Sequence, residues 1–325
     1  MGDMNLATRT CQGAVALLAC VCAIGAPLSE AQPATPACLV EGQELDFLSI
    51  RSAVFNSRRF ATADYTGSRD RVADAMSDIH ADWQNRLWSA GGLDCLNEPT
   101  RHAAYLALRS LALHTDNASV MDDLALAWVS LDTDTAVSEA KTHHRVMVTQ
   151  RKFADAAALR ERFPNIPPPM AIANADCADC PPDITRTMLK PAGDGLVRIS
   201  VDVSDYTGLV VVGHPGCGFT RQMWEDLAED PELTRAVRED ALWIADPWVD
   251  ITPASVQHFQ SLSPDMPFNV AWKLSDWPEF DTWSLPTIYA FRDGKVAGRH
   301  SGWPRGEAEK TRAKLRALLS DNTEL

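Results

Sequence analysis

Cys217 has the sequence neighbourhood of a reactive thiol. It follows a run of apolar, mostly β-branched residues at 209–212 and precedes a segment with helical periodicity, so we expect it where a buried strand gives way to a helix. The unpaired N–H groups of a helix N-terminus favour a thiolate, the nucleophilic form of cysteine. His214, if protonated, would add to this effect, and the Thr220 hydroxyl lies one turn later, where it could donate to the sulfur. The alternative is a buried, inert thiol.

Residues 195–325 are predicted to alternate between strands and helices. Alternating or continuous apolar runs predict strands at 196–203, 209–212, 241–244, 268–272, 285–291 and 296–299. Helical periodicity follows Cys217 and returns at 253–262 and 307–319. An Asp-Gly turn at 293–294 separates the last two strands, which is typical of a hairpin.

The preceding part of the chain, 32–163, is predicted to be a separate α-helical domain. Apolar residues at spacings of three and four predict helices at 69–87, 98–114, 119–131, 136–150 and 152–163. Their short connections imply helical hairpins, and residues 151–164 are weakly similar to half of a tetratricopeptide (TPR) unit. His143 and His144 are interpreted as solvated helix surface. A proline-rich linker at 164–194 follows and carries the Cys-x-x-Cys pair Cys177 and Cys180.

The order of elements in 195–325 resembles the thioredoxin-like superfamily. The matching order is a buried strand, a cysteine-containing turn, a helix, further strands, Leu285-Pro286-Thr287 at a strand start, and a closing helix. The resemblance implies an α/β thioredoxin-like C-terminal domain, and therefore an α+β chain of two domains. It also implies that Pro286 is cis, faces Cys217 and lines a substrate groove with Leu285. The Cys-Gly-Phe-Thr turn at 217–220 is similar to that of monothiol glutaredoxins, with Thr220 in place of a second cysteine.

Cys177 and Cys180 are candidates for a second redox thiol. A single thiolate can attack a disulfide, but another thiol must then resolve the mixed disulfide. The alternative for this pair is a static local disulfide. Both cysteines could also join Cys217 and His214 as soft ligands for Cu(I) or Zn, but their spacing matches no recognised four-ligand pattern. We therefore predict no resident metal and no cofactor.

Residues 1–31 are predicted to be a secretory signal peptide. A short polar start precedes an apolar run at 13–26, which is too short to span a bilayer. The small residues Ser29 and Ala31 predict cleavage after Ala31. The alternatives are a buried N-terminal helix and a lipid anchor on Cys20, which lies in a lipobox-like sequence. No later stretch of the sequence predicts a transmembrane helix, so the protein is predicted to be periplasmic or secreted.

Composition excludes two classes of protein and completes the cysteine assignment. A formal net charge of −14 argues against nucleic-acid binding, which needs a basic surface. A hydrophobic content of 46% is enough for packed cores and excludes wholesale disorder. In the exported chain, Cys38 and Cys95 are the cysteines of the helical domain, and we predict a structural disulfide between them.

Together these patterns predict an exported thiol-disulfide oxidoreductase with a single active-site cysteine. Cys217 would be the nucleophile, His214 and Thr220 would tune it, and Leu285 and Pro286 would contact the substrate, a thiol or disulfide of another protein. The alternative is a non-catalytic binding or assembly protein that keeps the fold. The absence of a second cysteine in the turn favours this alternative. A soft-metal binding protein is the third interpretation.

Overall fold

The computed structural model describes Cys38 and residues 45–60, 68–173 and 185–323. The predicted signal peptide at 1–31, with its alternative lipid anchor on Cys20, lies outside these residues, as do Cys177 and Cys180. From Cys38 to Leu325 the chain forms one compact unit. Within the described ranges, no helix combines the length and the apolar character that crossing a bilayer requires.

Helices fill the described part of the chain before residue 163. They are α1 (Phe47–Phe60), α2 (Ser68–Ala90), α3 (Glu98–Ala112), α4 (Ala118–Val129), α5 (Thr133–Thr149) and α6 (Phe153–Arg162). Three helix starts are encoded locally, because the side chain before each helix accepts a hydrogen bond from a backbone N–H of the first turn. These N-caps are Asn97, Asn117 and Asp132. The helical prediction is confirmed, whereas the TPR-like pattern stays a prediction.

His143 and His144 are buried, so their interpretation as solvated surface is wrong. The reason is that α5 packs against both α3 and α6. The His143 ring stacks on Trp128 with centroids 4.1 Å apart, and its Nδ1 lies 3.3 Å from the Tyr105 hydroxyl oxygen. Burial is the largest cause that lowers the pKa of His143 to about 3, so the ring is neutral at physiological pH.

A β-hairpin occupies the end of the predicted linker. The first sheet has the order β1-β3-β2-β6 and consists of β1 (Ile172–Ala173), β2 (Thr185–Ala192), β3 (Gly195–Asp202) and β6 (Val270–Ala271). Strands β2 and β3 pair antiparallel along their whole length. The linker prediction therefore does not hold for residues 185–192. Met188 and Leu189 are buried in this hairpin, and Gly193 makes its turn with φ 61°.

The second sheet carries Cys217 at the end of its central strand. Its strands, in the order β5-β4-β7-β8, are β4 (Gly208–Val212), β5 (Leu242–Ile244), β7 (Thr287–Arg292) and β8 (Lys295–Ser301). The α-helices in this part of the chain are α7 (Gly218–Leu227), the single turn α8 (Pro231–Leu233), α9 (Pro253–Leu262) and α10 (Ala308–Thr323). Strand β5 is parallel to β4, whereas β7 is antiparallel to both β4 and β8. The predicted strands and helices of this region match these elements to within a few residues.

The alternation of side chains along β4 separates two cores. Leu209 and Val211 pack with the apolar faces of α7 and α10, while Val210 and Val212 pack with Tyr289 and aromatic residues on the other face of the sheet. A third core contains residues of α1–α6 together with residues of 245–272. The helical and α/β regions share this third core, so packing is continuous across the predicted domain boundary.

Candidate functional site

Cys217 occupies the N-cap position of α7. Its backbone is extended, with φ −84° and ψ 119°. Its carbonyl accepts a hydrogen bond from the Arg221 N–H at 3.0 Å, and its own N–H donates to the His214 carbonyl at 3.1 Å. The thiol is free and half-buried. The structure therefore presents a free, partly accessible thiol at the start of a helix.

The Leu285 carbonyl lies beside this thiol. Its oxygen is 4.0 Å from Cys217 Sγ, and the Leu285–Pro286 peptide bond is cis. Pro286 is buried, Leu285 is half-buried, and the Pro286 carbonyl accepts a hydrogen bond from the Gly302 N–H at 2.8 Å. The fold thus brings together Cys217, Leu285 and Pro286, which are far apart in the sequence.

His214 does not carry the positive charge predicted for it. Burial, followed by the charge of Arg221, lowers the pKa of His214 to about 4, so the ring is neutral at physiological pH. Its Nδ1 accepts a hydrogen bond from the Gly216 N–H at 3.0 Å, which places the ring proton on Nε2. The predicted activating role is therefore corrected: His214 shapes the turn before Cys217.

Thr220 does not donate to the Cys217 sulfur. Its side chain is fully buried, and within the described part of the chain its hydroxyl has no protein hydrogen-bond partner. It packs instead against the end of β4, where a Cβ added at Gly213 would lie 2.9 Å from Thr220 Cγ2. The predicted tuning role is thus replaced by close packing between α7 and the central strand.

Sequence reasoning missed the close packing around Gly216. A Cβ at this position would lie 2.7 Å from Phe259 Cε1 and 2.8 Å from His214 Cε1, so a larger residue would displace one of the two rings. At Gly218 a Cβ would meet nothing within 4 Å. Phe259 lies on α9, packs against Phe268 and belongs to the margin of the core shared with the helical region. Its helix is predictable from periodicity, but no local pattern relates it to Cys217.

Two apolar residues neighbour Cys217. Phe219, the second residue of α7, is 52% exposed, and Leu285, whose carbonyl oxygen lies 4.0 Å from Sγ, is half-buried. Arg221, the nearest cation along the helix, donates from Nη1 to the Pro215 carbonyl at 2.7 Å. Aromatic and aliphatic side chains around a reachable thiol suit contact with a polypeptide more than with a small anion.

The sequence also assigned roles to four other cysteines. Cys38 and Cys95 form a disulfide with their Cα atoms 5.3 Å apart, as the sequence predicts. The soft-metal interpretation needs Cys177 and Cys180, which lie outside the described residues. Among the residues that the structure describes, no group of three or more His, Cys, Asp or Glu is arranged to hold a metal ion.

The order and direction of the strands around Cys217 identify the fold of this region. The central strand β4 lies between a parallel and an antiparallel neighbour, and the cysteine opens the helix that follows β4. The Leu285 carbonyl, which precedes the cis bond to Pro286 and the start of β7, lies beside the sulfur. This region has a thioredoxin-like fold. Its Cys-Gly-Phe-Thr turn at 217–220 holds a single cysteine.

Two solved structures are similar to this chain. One is a protein assigned as the thiol:disulfide interchange protein DsbE from Chlorobium tepidum, at 18% identity over 42% of this chain and 96% of that one, with a TM-score of 0.30. The other is a thioredoxin-like protein from Bacteroides caccae, at 12% identity over 88% of this chain and 96% of that one, with a TM-score of 0.27. No protein-family model matches the chain, and no curated protein does.

Proposed function

We propose that this protein is an exported thiol-disulfide exchange protein in which Cys217 is the nucleophile. The observation that carries the proposal is the position of a free, half-buried thiol at the start of α7, with the Leu285 carbonyl 4.0 Å from its sulfur. The disulfide between Cys38 and Cys95 supports export, because such bonds persist in oxidising compartments.

The chemistry of the first step is a balanced exchange. The Cys217 thiolate attacks one sulfur of a substrate disulfide and forms a new S–S bond, while the other substrate sulfur leaves as a thiolate. No net oxidation occurs in this step, because one disulfide is replaced by another. The product is a mixed disulfide between Cys217 and the substrate.

The substrate is proposed to be a cysteine-containing segment of another protein. The Leu285 carbonyl next to Cys217 Sγ offers an acceptor for a backbone N–H beside the substrate cysteine. The exposed Phe219 ring offers an apolar contact on the helix side. In this arrangement Leu285 and Pro286 line the groove, and His214 and Thr220 shape the turn that presents the thiol.

Cys177 or Cys180 is proposed to resolve the mixed disulfide. Thr220 cannot resolve a mixed disulfide, so a cycle within one chain needs a second thiol from elsewhere. The 37 residues from Cys180 to Cys217 are long enough to allow the contact, at about 3.3 Å per residue when extended.

The first experiment measures exchange between the reduced mature protein and a peptide disulfide. We expect a mixed disulfide on Cys217 and its loss in Cys217→Ser, because a hydroxyl cannot replace the thiolate. Pulse alkylation of the native and denatured protein provides the second readout. Exchange that persists in Cys217→Ser would refute the proposal.

A second experiment tests the resolving pair. In the double variant Cys177→Ser/Cys180→Ser, we expect the rate of attack on the peptide disulfide to stay within about twofold of wild type while mixed disulfides accumulate. Mass spectrometry of the trapped species measures both. Unchanged turnover without accumulation would show that the resolving thiol comes from another molecule.

A non-catalytic binding protein is the second candidate function. The observation that favours it is Thr220, which stands where dithiol members of the fold have their second cysteine. This function predicts that Cys217 alkylates no faster in the native protein than in the denatured chain. It also predicts that Cys217→Ser retains its partner in a pull-down from the native compartment.

A further inference from the structure

The segment that presents the Leu285 carbonyl to Cys217 is held at both ends by one arginine. Residues 281–284 lead into Leu285, and two branches of polar contacts connect them to Arg299 on β8. Arg299 pairs with Tyr289 across the β7–β8 ladder, so its side chain arises from the strand next to the one that Pro286 precedes. Neither branch was visible in the sequence, because each joins residues through the tertiary structure.

The first branch holds the start of the segment. Arg299 Nη2 lies 3.0 Å from Asp281 Oδ2 in an ion pair whose two side chains are only 10% and 7% exposed. The Tyr289 hydroxyl lies 2.9 Å from the other oxygen of Asp281 and 2.7 Å from the Thr282 carbonyl, and it accepts the Thr282 N–H at 3.1 Å. The Tyr289 ring stacks on Phe280 with centroids 4.4 Å apart.

The second branch holds the end of the segment. Arg299 Nη1 donates to Ser301 Oγ at 3.1 Å, Ser301 Oγ lies 3.0 Å from Thr287 Oγ1, and Thr287 Oγ1 donates to the Ser284 carbonyl at 2.7 Å. Since each hydroxyl has one proton, the chain is consistent with a single direction of donation from the guanidinium to the Ser284 carbonyl. Ser284 is the residue immediately before Leu285.

We propose that Arg299 is a positioning residue for the Cys217 site, acting through Asp281–Tyr289 and through Ser301–Thr287. The first branch holds residues 281 and 282 and the second holds Ser284, so the Leu285 carbonyl is kept at a defined distance from Cys217 Sγ. This inference rests on the proposed function. In this proposal Arg299 acts on the reaction through the placement of that acceptor.

The planar guanidinium is suited to this role. Its fork directs separate N–H groups at Asp281 and at Ser301, whereas an ammonium is a single point charge on a flexible stem. Arg299→Lys therefore keeps the charge beside Asp281 and loses the forked geometry. Tyr289→Phe removes the hydroxyl of the first branch and retains the ring, and Thr287→Val removes the hydroxyl of the second branch at nearly constant volume.

The test compares two disulfide substrates in single-turnover exchange with reduced full-length mature protein. One is a cysteine-containing peptide disulfide with backbone N–H groups beside its sulfur, and the other is the small aromatic disulfide DTNB. For Arg299→Lys, Tyr289→Phe and Thr287→Val, we expect the second-order rate with the peptide to fall by about tenfold or more, as for displaced binding groups. The rate with DTNB is expected to stay within about twofold.

Two matched variants control for loss of stability. Tyr206→Phe removes a hydroxyl that donates to the Leu209 carbonyl at 2.9 Å, and Arg109→Lys alters an ion pair with Glu139 in the helical region. Both are expected to leave the ratio of peptide to DTNB rates unchanged. Thermal unfolding of all variants identifies any that fail to fold, and either branch variant tests the proposal if the other does not fold.

The outcomes separate this inference from the proposed function. If the wild type exchanges with both disulfides and the variants lose the two rates equally, or lose neither, the positioning role is refuted while the function stands. If the wild type exchanges with neither, the proposed function is refuted and the positioning role with it. A selective loss of the peptide rate supports Arg299 as a positioning residue.

Discussion

In both the helical region and the Cys217 turn, burial lowers the pKa of a histidine, but the neutral ring has different surroundings in the two places. Each buries a histidine, and burial lowers the pKa of His143 to about 3 and that of His214 to about 4. In the helical region the neutral ring is enclosed, stacked on Trp128 and in contact with Tyr105. At the turn, the neutral ring accepts the Gly216 N–H while Cys217 stays half-exposed beside it.

The difference lies in where each polar network ends. In the helical region, half-buried polar groups pair with one another, as Arg109, Glu139 and His102 do between α3 and α5. At the turn, the contacts lead outward to a carbonyl and a thiol that a partner can reach. A buried histidine by itself therefore does not indicate a reactive site, and the proposed function rests on the accessible sulfur next to His214.

The largest expected effect is the loss of stability when the disulfide of the helical region is removed. Cys38→Ser/Cys95→Ser is expected to lower the free energy of unfolding by about 3 kcal/mol, because the disulfide closes a loop with a sequence separation of 57. Urea unfolding measures this loss. The rate of exchange at Cys217 is expected to stay within about twofold of wild type. An unchanged stability would contradict the stabilising role of the disulfide, and a collapse of exchange in a variant that remains folded would show that the disulfide also supports the Cys217 site.

The second expected effect is the loss of stability when the turn before Cys217 is overpacked. Gly216→Ala is expected to cost about 1–3 kcal/mol of stability, because its Cβ would overlap the rings of Phe259 and His214. Alkylation of Cys217 should slow as the turn shifts. Gly218→Ala is the matched control on the other side of Cys217, where the added methyl meets open space. Equal effects of the two substitutions on stability would refute the packing argument.

Acidification tests the closed core of the helical region. The pKa of His143 in the folded state lies below the ordinary value of 6.5, so the unfolded chain binds more protons as the pH falls below 6.5. Stability present at neutral pH is therefore lost progressively down to about pH 3. From pH 7 to pH 5 the expected loss from this group is on the order of 2 kcal/mol. His143→Gln should flatten the measured dependence of unfolding free energy on pH, and an unaltered slope would contradict the assignment.

The smallest expected effect is that of replacing His214 on the pH dependence of Cys217 alkylation. Because the lowered pKa of His214 leaves its ring neutral above about pH 4, the ring contributes no charge to the thiol in the physiological range. The pH dependence of Cys217 alkylation in His214→Gln should therefore follow that of the wild type between pH 5 and pH 9. A shift of the profile to higher pH in this variant would restore the charged-histidine interpretation.

Much of the fold was predictable because its signals are local. Asn97, Asn117 and Asp132 accept hydrogen bonds at helix starts, and the continuous runs of buried residues in β4 and β7 are typical of central strands. The hairpin of β2 escaped prediction because Lys190 and Pro191 interrupt its apolar pattern, so its identity depends on pairing with β3. A local pattern does not reveal a partner strand.

The candidate site likewise has one part that the sequence predicts and another part that it does not. The sequence by itself determined that Cys217 opens a helix after a buried strand, because strand and helix periodicity are properties of neighbouring residues. Only the tertiary structure decided that His214 is neutral, that the Thr220 hydroxyl is buried away from the sulfur, and that Arg299 lies behind the Leu285 segment. Desolvation and hydrogen bonding depend on atoms that distant parts of the chain bring into contact, such as the Phe259 ring over His214.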